Sequence, residues 1–426
     1  MKILLIGNGG REHALADALL RENTTIDLIA APGNPGIASL ARLAPLSLSA
    51  SDEIVAFAAD EQVDLVVVGP EAPLADGLVD RLRLRNIPAF GPTYEAAEIE
   101  TSKHVAKSLM ARANVPTARS ETHRTAAGAH EAVNQRFNAP VVIKASGLAA
   151  GKGVMVCHTD IEAHAAIDRI MGDKAFGAAG DECLVEAFMQ GEELSLFALT
   201  DGIDVLTMIP AQDHKRLLNG DDGPNTGGMG AYTPVSLGTP ALLEDVTERI
   251  LLPTLHALRK RRTPFNGLLY AGLMLTEEGP QVVEFNCRFG DPETQAILPM
   301  LTSSLLDPML AIARGARIGN MSPLTWRDGA SVTTVVAAAG YPDTPRAGDV
   351  IHVPDDDATR RVYHAGTQRS AHGELVTSGG RVVSVTGIGD TFDVARRISR
   401  DGAELVEFEG RQFRTDIGWR EHERLA

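Results

Sequence analysis

The sequence is poor in the residues that mark several common classes of protein. Of its 426 residues 4% are aromatic and three are cysteine, and 56 acidic residues face 40 basic ones, a net charge of −16. A protein that coats nucleic acid needs positive charge and, for single strands, aromatic stacking surfaces, so we expect no nucleic-acid partner. Three cysteines without a CxxC pair predict reduced thiols rather than a disulfide framework or a zinc site.

Long apolar runs are also missing. The sequence has no stretch of about 18 apolar residues, the minimum for a transmembrane helix, and the run before Gly7 is too short for the core of a signal peptide. We therefore expect a cytoplasmic protein with no membrane partner. The length predicts roughly three domains.

Residues 1–103 alternate between apolar runs and helical patterns. The runs Lys2–Ile6, Ile26–Ala30 and Val63–Val68 each end in a turn rich in glycine or proline, and Arg11–Leu20 has apolar residues at helical spacing. This alternation predicts a parallel sheet with helical crossovers. Ligands bind beyond the carboxyl ends of such strands, where all three turns lie.

The pattern changes after this domain. A helix is expected at Ser102–Arg112, and strands at Pro140–Lys144 and Leu184–Phe188. From residue 330 the sequence becomes β-rich. The predicted architecture is a parallel α/β domain at 1–103, an α+β domain at 104–324 and a β-rich domain at 325–426.

The first glycine turn is Gly7-Asn8-Gly9-Gly10. It fits a dinucleotide-binding fingerprint poorly, because Glu12 stands where the third glycine belongs and no acidic residue follows the second strand. The N–H groups at the start of the next helix still favour an anion. We expect a phosphomonoester site rather than the dinucleotide site of a nicotinamide oxidoreductase, with a plain turn as the alternative.

A second glycine-rich loop follows the strand that ends at Lys144. The segment Gly147–Gly153 differs from a P-loop, because three residues rather than four separate Gly147 from Gly151 and no Ser or Thr follows Lys152. Its flexible backbone and the lysines are suited to covering a triphosphate. A simple hairpin is the alternative.

The segment Gln281–Asn286 predicts a metal site. In a strand, Glu284 and Asn286 point to one face, with Val283 and Phe285 on the other. A carboxylate and an amide oxygen suit Mg²⁺ shared with substrate phosphates, whereas the alternative is a polar solvent face. Three further charges within Arg288–Glu293 favour the metal site.

A second polar cluster contains Gln212–Arg216 and the glycine-rich segment Gly223–Gly230. Its acid, lysine and arginine beside a flexible backbone indicate an anionic substrate, although a mobile linker has the same composition. His214 has no second histidine at ligand spacing, so we do not expect it to bind metal.

Taken together and in this order, these segments resemble the phosphoribosylamine–glycine ligase family of ATP-grasp enzymes. The resemblance spans nearly the whole chain and is sharpest at Arg288–Gln295. The other matching segments are Gly7–Ala14, Pro32–Asn34, Gly69–Leu74, Phe90–Thr93, Ser102-Lys103, Tyr363–Thr367 and Phe413–Gly418.

The resemblance implies ATP held between two α+β lobes, with a mobile lid at about 119–190, and Mg²⁺ or Mn²⁺ as cofactor at Glu284 and Asn286. The expected ATP-binding residues are Lys103, Lys144, Gly147, Gly151, Lys152, Gly153, Glu186, Phe188, Met189 and Glu193. The expected substrate-binding residues are Gly9, Gly10, Asn34, Glu71, Lys215, Asn225 and Gly228. Catalysis is expected from Arg288 and Lys144, with Asp213 and Asp291 orienting an amine.

The implied reaction is ATP-dependent ligation of glycine to 5-phosphoribosylamine through glycyl phosphate, in purine biosynthesis, by a monomer with small-molecule partners. The alternatives are another ATP-grasp ligase or carboxylase and a nucleotide-binding regulatory module without catalysis. Three departures stand out: Ser146 replaces a usual Asp, Ala187 replaces a usual Glu, and the strand Leu269–Leu275 lacks an acid. The last departure places a second fully liganded metal in doubt.

Overall fold

A parallel β-sheet forms the N-terminal part of the chain in the computed structural model, which describes residues 1–148 and 153–426. Its strands are β1 Lys2–Gly7, β2 Asp27–Pro32, β3 Arg42–Leu43, β4 Leu65–Val68 and β5 Ala89–Phe90. They lie in the order β3-β2-β1-β4-β5, and every pairing is parallel, as predicted. The central strands β1 and β4 are apolar because both faces of the sheet are covered.

Helices connect these strands. They are α1 Gly10–Glu22, α2 Ser51–Asp60, α3 Glu71–Ala75 and α4 Leu78–Leu84, and a further helix, α5 Tyr94–Thr101, follows β5. Helices α1 and α3 begin at the carboxyl ends of β1 and β4, which are neighbours in the sheet. The predicted glycine turns therefore meet at one edge, where a crevice can form.

The next lobe follows α6 Lys103–Ala113. It consists of β6 Ser120–His123, α7 Ala126–Gln135, β7 Val141–Ala145, β8 Val154–Cys157, α8 Asp160–Ile167 and β9 Cys183–Ala187. The strands form an antiparallel sheet in the order β6-β9-β7-β8. Its apolar side chains pack into a core of their own with those of α7 and α8. A separate core suits a lobe that moves as a unit; the movement itself stays a prediction.

The central segment contributes β10 Glu192–Thr200, β11 Val205–Thr207, β12 Gln212–Asp213, β13 Arg216–Leu218, β14 Asp222–Asn225, β15 Gly230–Thr233, α9 Pro240–Val246, α10 Leu252–Lys260, β16 Gly267–Thr276, β17 Gly279–Asn286, α11 Glu293–Ile297 and α12 Leu306–Ala313. An antiparallel sheet with the order β11-β10-β16-β17 forms its centre. It packs into the same cores as the N-terminal sheet, so the two are joined through apolar contacts.

The last sheet crosses the domain boundary expected near residue 325. The C-terminal segment supplies β18 Ala330–Ala337, β19 Arg360–His364, β20 Thr367–Arg369, β21 Leu375–Thr377, β22 Arg381–Gly389, α13 Phe392–Glu404 and α14 Trp419–Leu425. The sheet order is β12-β15-β18-β22-β19, so two strands of the central segment complete it. The polar cluster around β12 and β15 is thereby attached to the C-terminal sheet. None of the helices within the described ranges has the length and apolarity to cross a membrane.

Candidate active site

Strand β17 presents Glu284 and Asn286, and its pairing with β16 contains a β-bulge. The pairing with β16 shifts register next to Gly272, which faces Glu284. Because a bulge inserts one extra residue, Val282 and Phe285 are the buried core residues, whereas Val283 is half-buried. The expectation that Val283 lies in the face opposite Glu284 with Phe285 is therefore wrong, but Glu284 and Asn286 still alternate with Phe285.

Four cationic side chains surround Glu284. Burial by itself would raise the pKa of this carboxyl, but the charges of Lys103, Lys144, Lys215 and Arg288 outweigh burial and lower the pKa. The carboxylate is therefore ionised at neutral pH. Three of these cations also pair with other acids, Lys144 with Glu186, Lys215 with Glu193 and Arg288 with Glu71, so a bound triphosphate would meet cations that are already fixed in position.

The donor set of this face fits a hard divalent cation. Glu284 and Asn286 offer oxygen atoms, and Mg²⁺ prefers oxygen ligands supplied by one or two side chains together with phosphates and water. Among the residues that the structure describes, no group of three His, Cys, Asp or Glu side chains could hold a metal ion. A cation at Glu284 and Asn286 would thus depend on substrate oxygens for the rest of its coordination.

Lys144 and Glu186 form a buried ion pair on neighbouring strands β7 and β9. The Lys144 Nζ lies 2.7 Å from Glu186 Oε2, and also donates to the Val283 carbonyl at 3.3 Å. Glu186 therefore faces the lysines with its carboxylate, and its expected contact with ATP remains a prediction. Lys103 donates to the Gly147 carbonyl at 3.3 Å, and burial lowers its pKa.

Lys107 is a residue of this cluster that sequence reasoning missed. Its Nζ lies 3.3 Å from Glu186 Oε1 and donates to Thr117 Oγ1 at 2.8 Å. Burial lowers the pKa of Lys107 to about 8. A signal was available, because Lys103 and Lys107 are four residues apart on α6 and such residues share a helix face.

Lys215 lies between two acids of the polar cluster. Its Nζ contacts the Glu193 carboxylate and is 3.0 Å from Asp213 Oδ1. Burial raises the pKa of Asp213 to about 6, with Lys215 opposing and Glu293 adding to the shift. Tyr270 donates to Glu293 Oε1 at 2.6 Å, which holds in place an acid that was not among the expected site residues.

Arg288 connects the N-terminal crevice to the metal-binding face. Its Nε donates to Glu71 Oε2 at 3.2 Å and its Nη2 to Asn286 Oδ1 at 3.3 Å. Its Nη2 also lies 3.1 Å from Glu100 Oε1, and Glu100 accepts the Cys287 N–H at 2.7 Å. Burial would raise the pKa of Glu71, but Arg288 and Arg11 lower it. Glu100 was missed because no local pattern distinguishes it within α5.

The first glycine turn is packed around the Glu12 side chain. A Cβ atom at Gly7, Gly9 or Gly69 would lie within 2.8 Å of Glu12 atoms. Glu12 Oε2 accepts the Gly9 N–H at 2.6 Å, and Asp291 Oδ2 accepts the Arg11 N–H at 3.3 Å. Carboxylates thus already occupy two amide groups at the start of α1. The phosphomonoester site expected here remains a prediction.

Asn34 ties three segments together. Its Nδ2 donates to the carbonyls of Asn8 at 2.9 Å and His364 at 2.8 Å, and its Oδ1 accepts the N–H groups of Gly36 and Ile37. The buried side chain therefore shapes the crevice edge beside Gly9. Both of its polar atoms already have protein partners.

Asp291 and Gly228 lie at the junction of all three expected domains. Arg381 Nη1 of β22 is 3.3 Å from Asp291 Oδ1 and donates to the Asp291 carbonyl at 2.7 Å. Gly228 has φ of +109°, and a Cβ there would lie 2.5 Å from Pro292 Cδ. Glycine is required because both the backbone angle and the contact exclude a side chain.

The other expected site residues lie at the periphery of these clusters. A Cβ at Gly10 would lie 2.5 Å from Gln295 Nε2, and the Asn225 side chain is half-buried beside β13. Phe188 is exposed and Met189 half-buried directly after β9. The Gly153 carbonyl accepts the Ala145 N–H at 2.8 Å, whereas Gly151 and Lys152 lie outside the described residues.

His214 is structural. Its Nε2 accepts the Gly418 N–H at 2.8 Å, and its Nδ1 lies 3.5 Å from Asp221 Oδ1. Burial lowers the pKa of His214, so the ring is neutral at neutral pH. It connects the polar cluster to the start of α14.

Buried cations around a carboxylate–amide pair, next to two antiparallel sheets, are typical of the ATP-grasp class of nucleotide-dependent enzymes, a class that uses ATP with Mg²⁺. Family models match residues 1–100 as the phosphoribosylglycinamide synthetase N domain, 101–294 as its ATP-grasp (A) domain and 331–420 as its C domain. The chain belongs to the phosphoribosylglycinamide synthetase family, in agreement with the resemblance seen in the sequence.

Individual relatives agree. The chain is 46% identical to the phosphoribosylamine–glycine ligase of Neisseria meningitidis, with 98% of each chain covered, and 47% identical to that of Ralstonia nicotianae, with 99% of each covered. The crystal structure of phosphoribosylamine–glycine ligase from Thermotoga maritima has a TM-score of 0.86 at 33% identity, covering 98% of this chain and 100% of that one. The predicted fold class and enzyme class are confirmed.

Proposed function

We propose that this protein joins glycine to 5-phosphoribosylamine with ATP, giving glycinamide ribonucleotide, ADP and phosphate in purine biosynthesis. The observation that carries the proposal is the arrangement of Lys103, Lys144, Lys215 and Arg288 around Glu284, in a chain similar over its whole length to phosphoribosylamine–glycine ligases. We further propose that it acts as a monomer in the cytoplasm.

The first chemical step activates glycine. An oxygen of the glycine carboxylate attacks the γ-phosphorus of ATP, the bond to the β,γ-bridging oxygen breaks, and ADP leaves, which produces glycyl phosphate. Phosphoryl transfer depends mainly on positioning and charge stabilisation, and Lys144 and Arg288 supply positive charge for both. Glu186 and Glu71 hold these two side chains by ion pairs.

The second step forms the amide. The amine of phosphoribosylamine attacks the carbonyl carbon of glycyl phosphate, the carbon–oxygen bond breaks, and inorganic phosphate leaves. The attacking nitrogen loses a proton, which the departing phosphate takes up, and Asp213 and Asp291 are the carboxylates proposed to orient the amines and to accept hydrogen bonds from them. Glu284 and Asn286 would hold Mg²⁺ or Mn²⁺, which neutralises phosphate charge when bound.

The test follows the oxygen atoms. Glycine labelled with heavy oxygen in its carboxylate should pass one labelled oxygen to inorganic phosphate, in step with ADP formation. Label in AMP would indicate adenylylation, and unlabelled phosphate would contradict glycyl phosphate. Bicarbonate in place of glycine serves as the control, and equal turnover with it would favour a carboxylase instead.

A further inference from the structure

The Asp291 carboxylate is fixed by groups from three parts of the chain. Gln295 Nε2 on α11 donates to Oδ1 at 2.8 Å, and the backbone N–H of Arg11 on α1 donates to Oδ2 at 3.3 Å. Arg381 Nη1 on β22 lies 3.3 Å from Oδ1. Both carboxylate oxygens therefore have assigned donors, and the direction of the carboxylate is determined by its neighbours.

Arg381 holds the backbone as well as the side chain of this residue. Its Nη1 donates to the carbonyl of Asp291 at 2.7 Å and to the carbonyl of Gly227 at 2.7 Å. Gly227 is further held by the Tyr341 hydroxyl, which accepts its N–H at 2.9 Å. One guanidinium group thus joins the C-terminal sheet to the Asp291 turn and to the glycine-rich segment next to it.

The charges agree with this arrangement. Burial would raise the pKa of Asp291, but Arg381 and Arg11 lower it, so the carboxylate stays ionised. The acids Asp291 and Glu293 raise the pKa of Arg381 against its own burial. An ionised and fixed carboxylate is a hydrogen-bond acceptor that loses little entropy when an amine binds.

We propose that Arg381 is a positioning residue for the amine substrate and that it acts through Asp291. The inference rests on the proposed function, in which Asp291 orients an amine. It also gives the C-terminal sheet a role in the reaction, since a residue of β22 controls a carboxylate of the central segment. A misplacement of about 1 Å in such a group lowers turnover by about 100-fold.

The experiment compares four full-length proteins: wild type, Arg381→Met, Asp291→Asn and the double variant. ADP release gives kcat and KM for each substrate. We expect Arg381→Met to lower kcat/KM for phosphoribosylamine about 10- to 100-fold and to leave KM for ATP within about twofold. The double variant should be no worse than Asp291→Asn, because the effect of Arg381 passes through that carboxylate.

Two further variants separate positioning from folding. Arg381→Lys keeps the charge and one donor, so it should recover part of the lost kcat/KM for phosphoribosylamine. Arg397→Met removes an exposed arginine of α13 and should match the wild type in both rate and melting temperature.

Three outcomes would overturn the inference. Losses that multiply in the double variant would mean that Arg381 acts on the substrate independently of Asp291. A comparable rise in KM for ATP together with a lowered melting temperature would mean that Arg381 only links the domains structurally. Wild-type kinetics in Arg381→Met would mean that Arg381 has no role in positioning the amine substrate. The proposed function fails separately, when the wild type releases no ADP in response to glycine and phosphoribosylamine.

Discussion

Gly272 lies directly opposite Glu284 in the pairing of β16 with β17, so the carboxylate has no side chain facing it across the strands. A Cβ at Gly272 would lie 3.5 Å from Glu284 Cγ. Strand β16 contains no acid, as its sequence already indicated. The metal site that we propose therefore has a single carboxylate on this pair of strands, and four cations lower the pKa of that carboxylate.

Glu284→Gln should abolish most of the turnover while the fold remains. The substitution keeps the shape and removes the charge, so we expect a loss of about 100-fold and a higher Mg²⁺ requirement. Initial rates over a Mg²⁺ titration give both quantities. Glu278→Gln, at an exposed acid between the same two strands, is the matched control. An unchanged Mg²⁺ dependence of Glu284→Gln would contradict the proposal that Glu284 binds the metal ion.

Lys107→Met should weaken ATP binding. Lys107 lies 3.3 Å from Glu186, which in turn pairs with Lys144. Without Lys107, Glu186 has one cationic partner fewer and its ion pair with Lys144 can move. We expect KM for ATP to rise about tenfold, equivalent to about 1.4 kcal/mol, with a smaller change in KM for glycine. Lys260→Met, at an exposed lysine, should leave both unchanged. Equal effects on all substrates would indicate a general structural role instead.

Turnover should rise with pH through about 6. Burial raises the pKa of the Asp213 carboxyl to about 6, so below that pH the group is protonated and cannot accept a hydrogen bond from an amine. The profile of kcat/KM should therefore fall on the acid side of about pH 6. Asp213→Asn should have lower activity without this acid limb. A limb that persists in Asp213→Asn belongs to another group.

Acid should destabilise the contact between α1 and β19. Burial lowers the pKa of His13 to about 3 and that of His364 to about 4, and the His364 N–H donates to His13 Nδ1 at 2.8 Å. The unfolded chain takes up these protons near pH 6.5, whereas the folded chain does not. The contribution of the two neutral histidines to the unfolding free energy is therefore complete above about pH 6.5. It is lost as the pH falls towards the lowered pKa values.

The slope for one histidine is about 1.4 kcal/mol per pH unit. The difference in unfolding free energy between wild type and His13→Asn should therefore shrink by about 2 kcal/mol between pH 6.5 and pH 5. Urea unfolding at the two pH values measures it. His256→Asn, at an exposed histidine, should show no such change. A constant difference for His13→Asn would mean that His13 is protonated in the folded chain.

Much of the fold was predictable because the relevant signals are local. The apolar runs before Gly7 and Gly69 mark buried parallel strands, since both faces of such strands are covered. The spacing of Glu284 and Asn286 was also sufficient to place both on one strand face. The face predicted for Val283 was wrong, because a β-bulge depends on the pairing with β16 and cannot be read from the sequence of the strand itself.

The sequence by itself determined the order of the motifs, the parallel N-terminal sheet and the candidate residues for phosphate and metal, because each rests on periodicity or on neighbours in the chain. Only the tertiary structure decided which of these side chains meet. It packed the first glycines around Glu12, paired Lys144 with Glu186 and brought Arg381 to Asp291 from a sheet that crosses the expected domain boundary. The physical reason is that these contacts join residues distant in the chain, and the burial that shifts their pKa values exists only after the strands have paired.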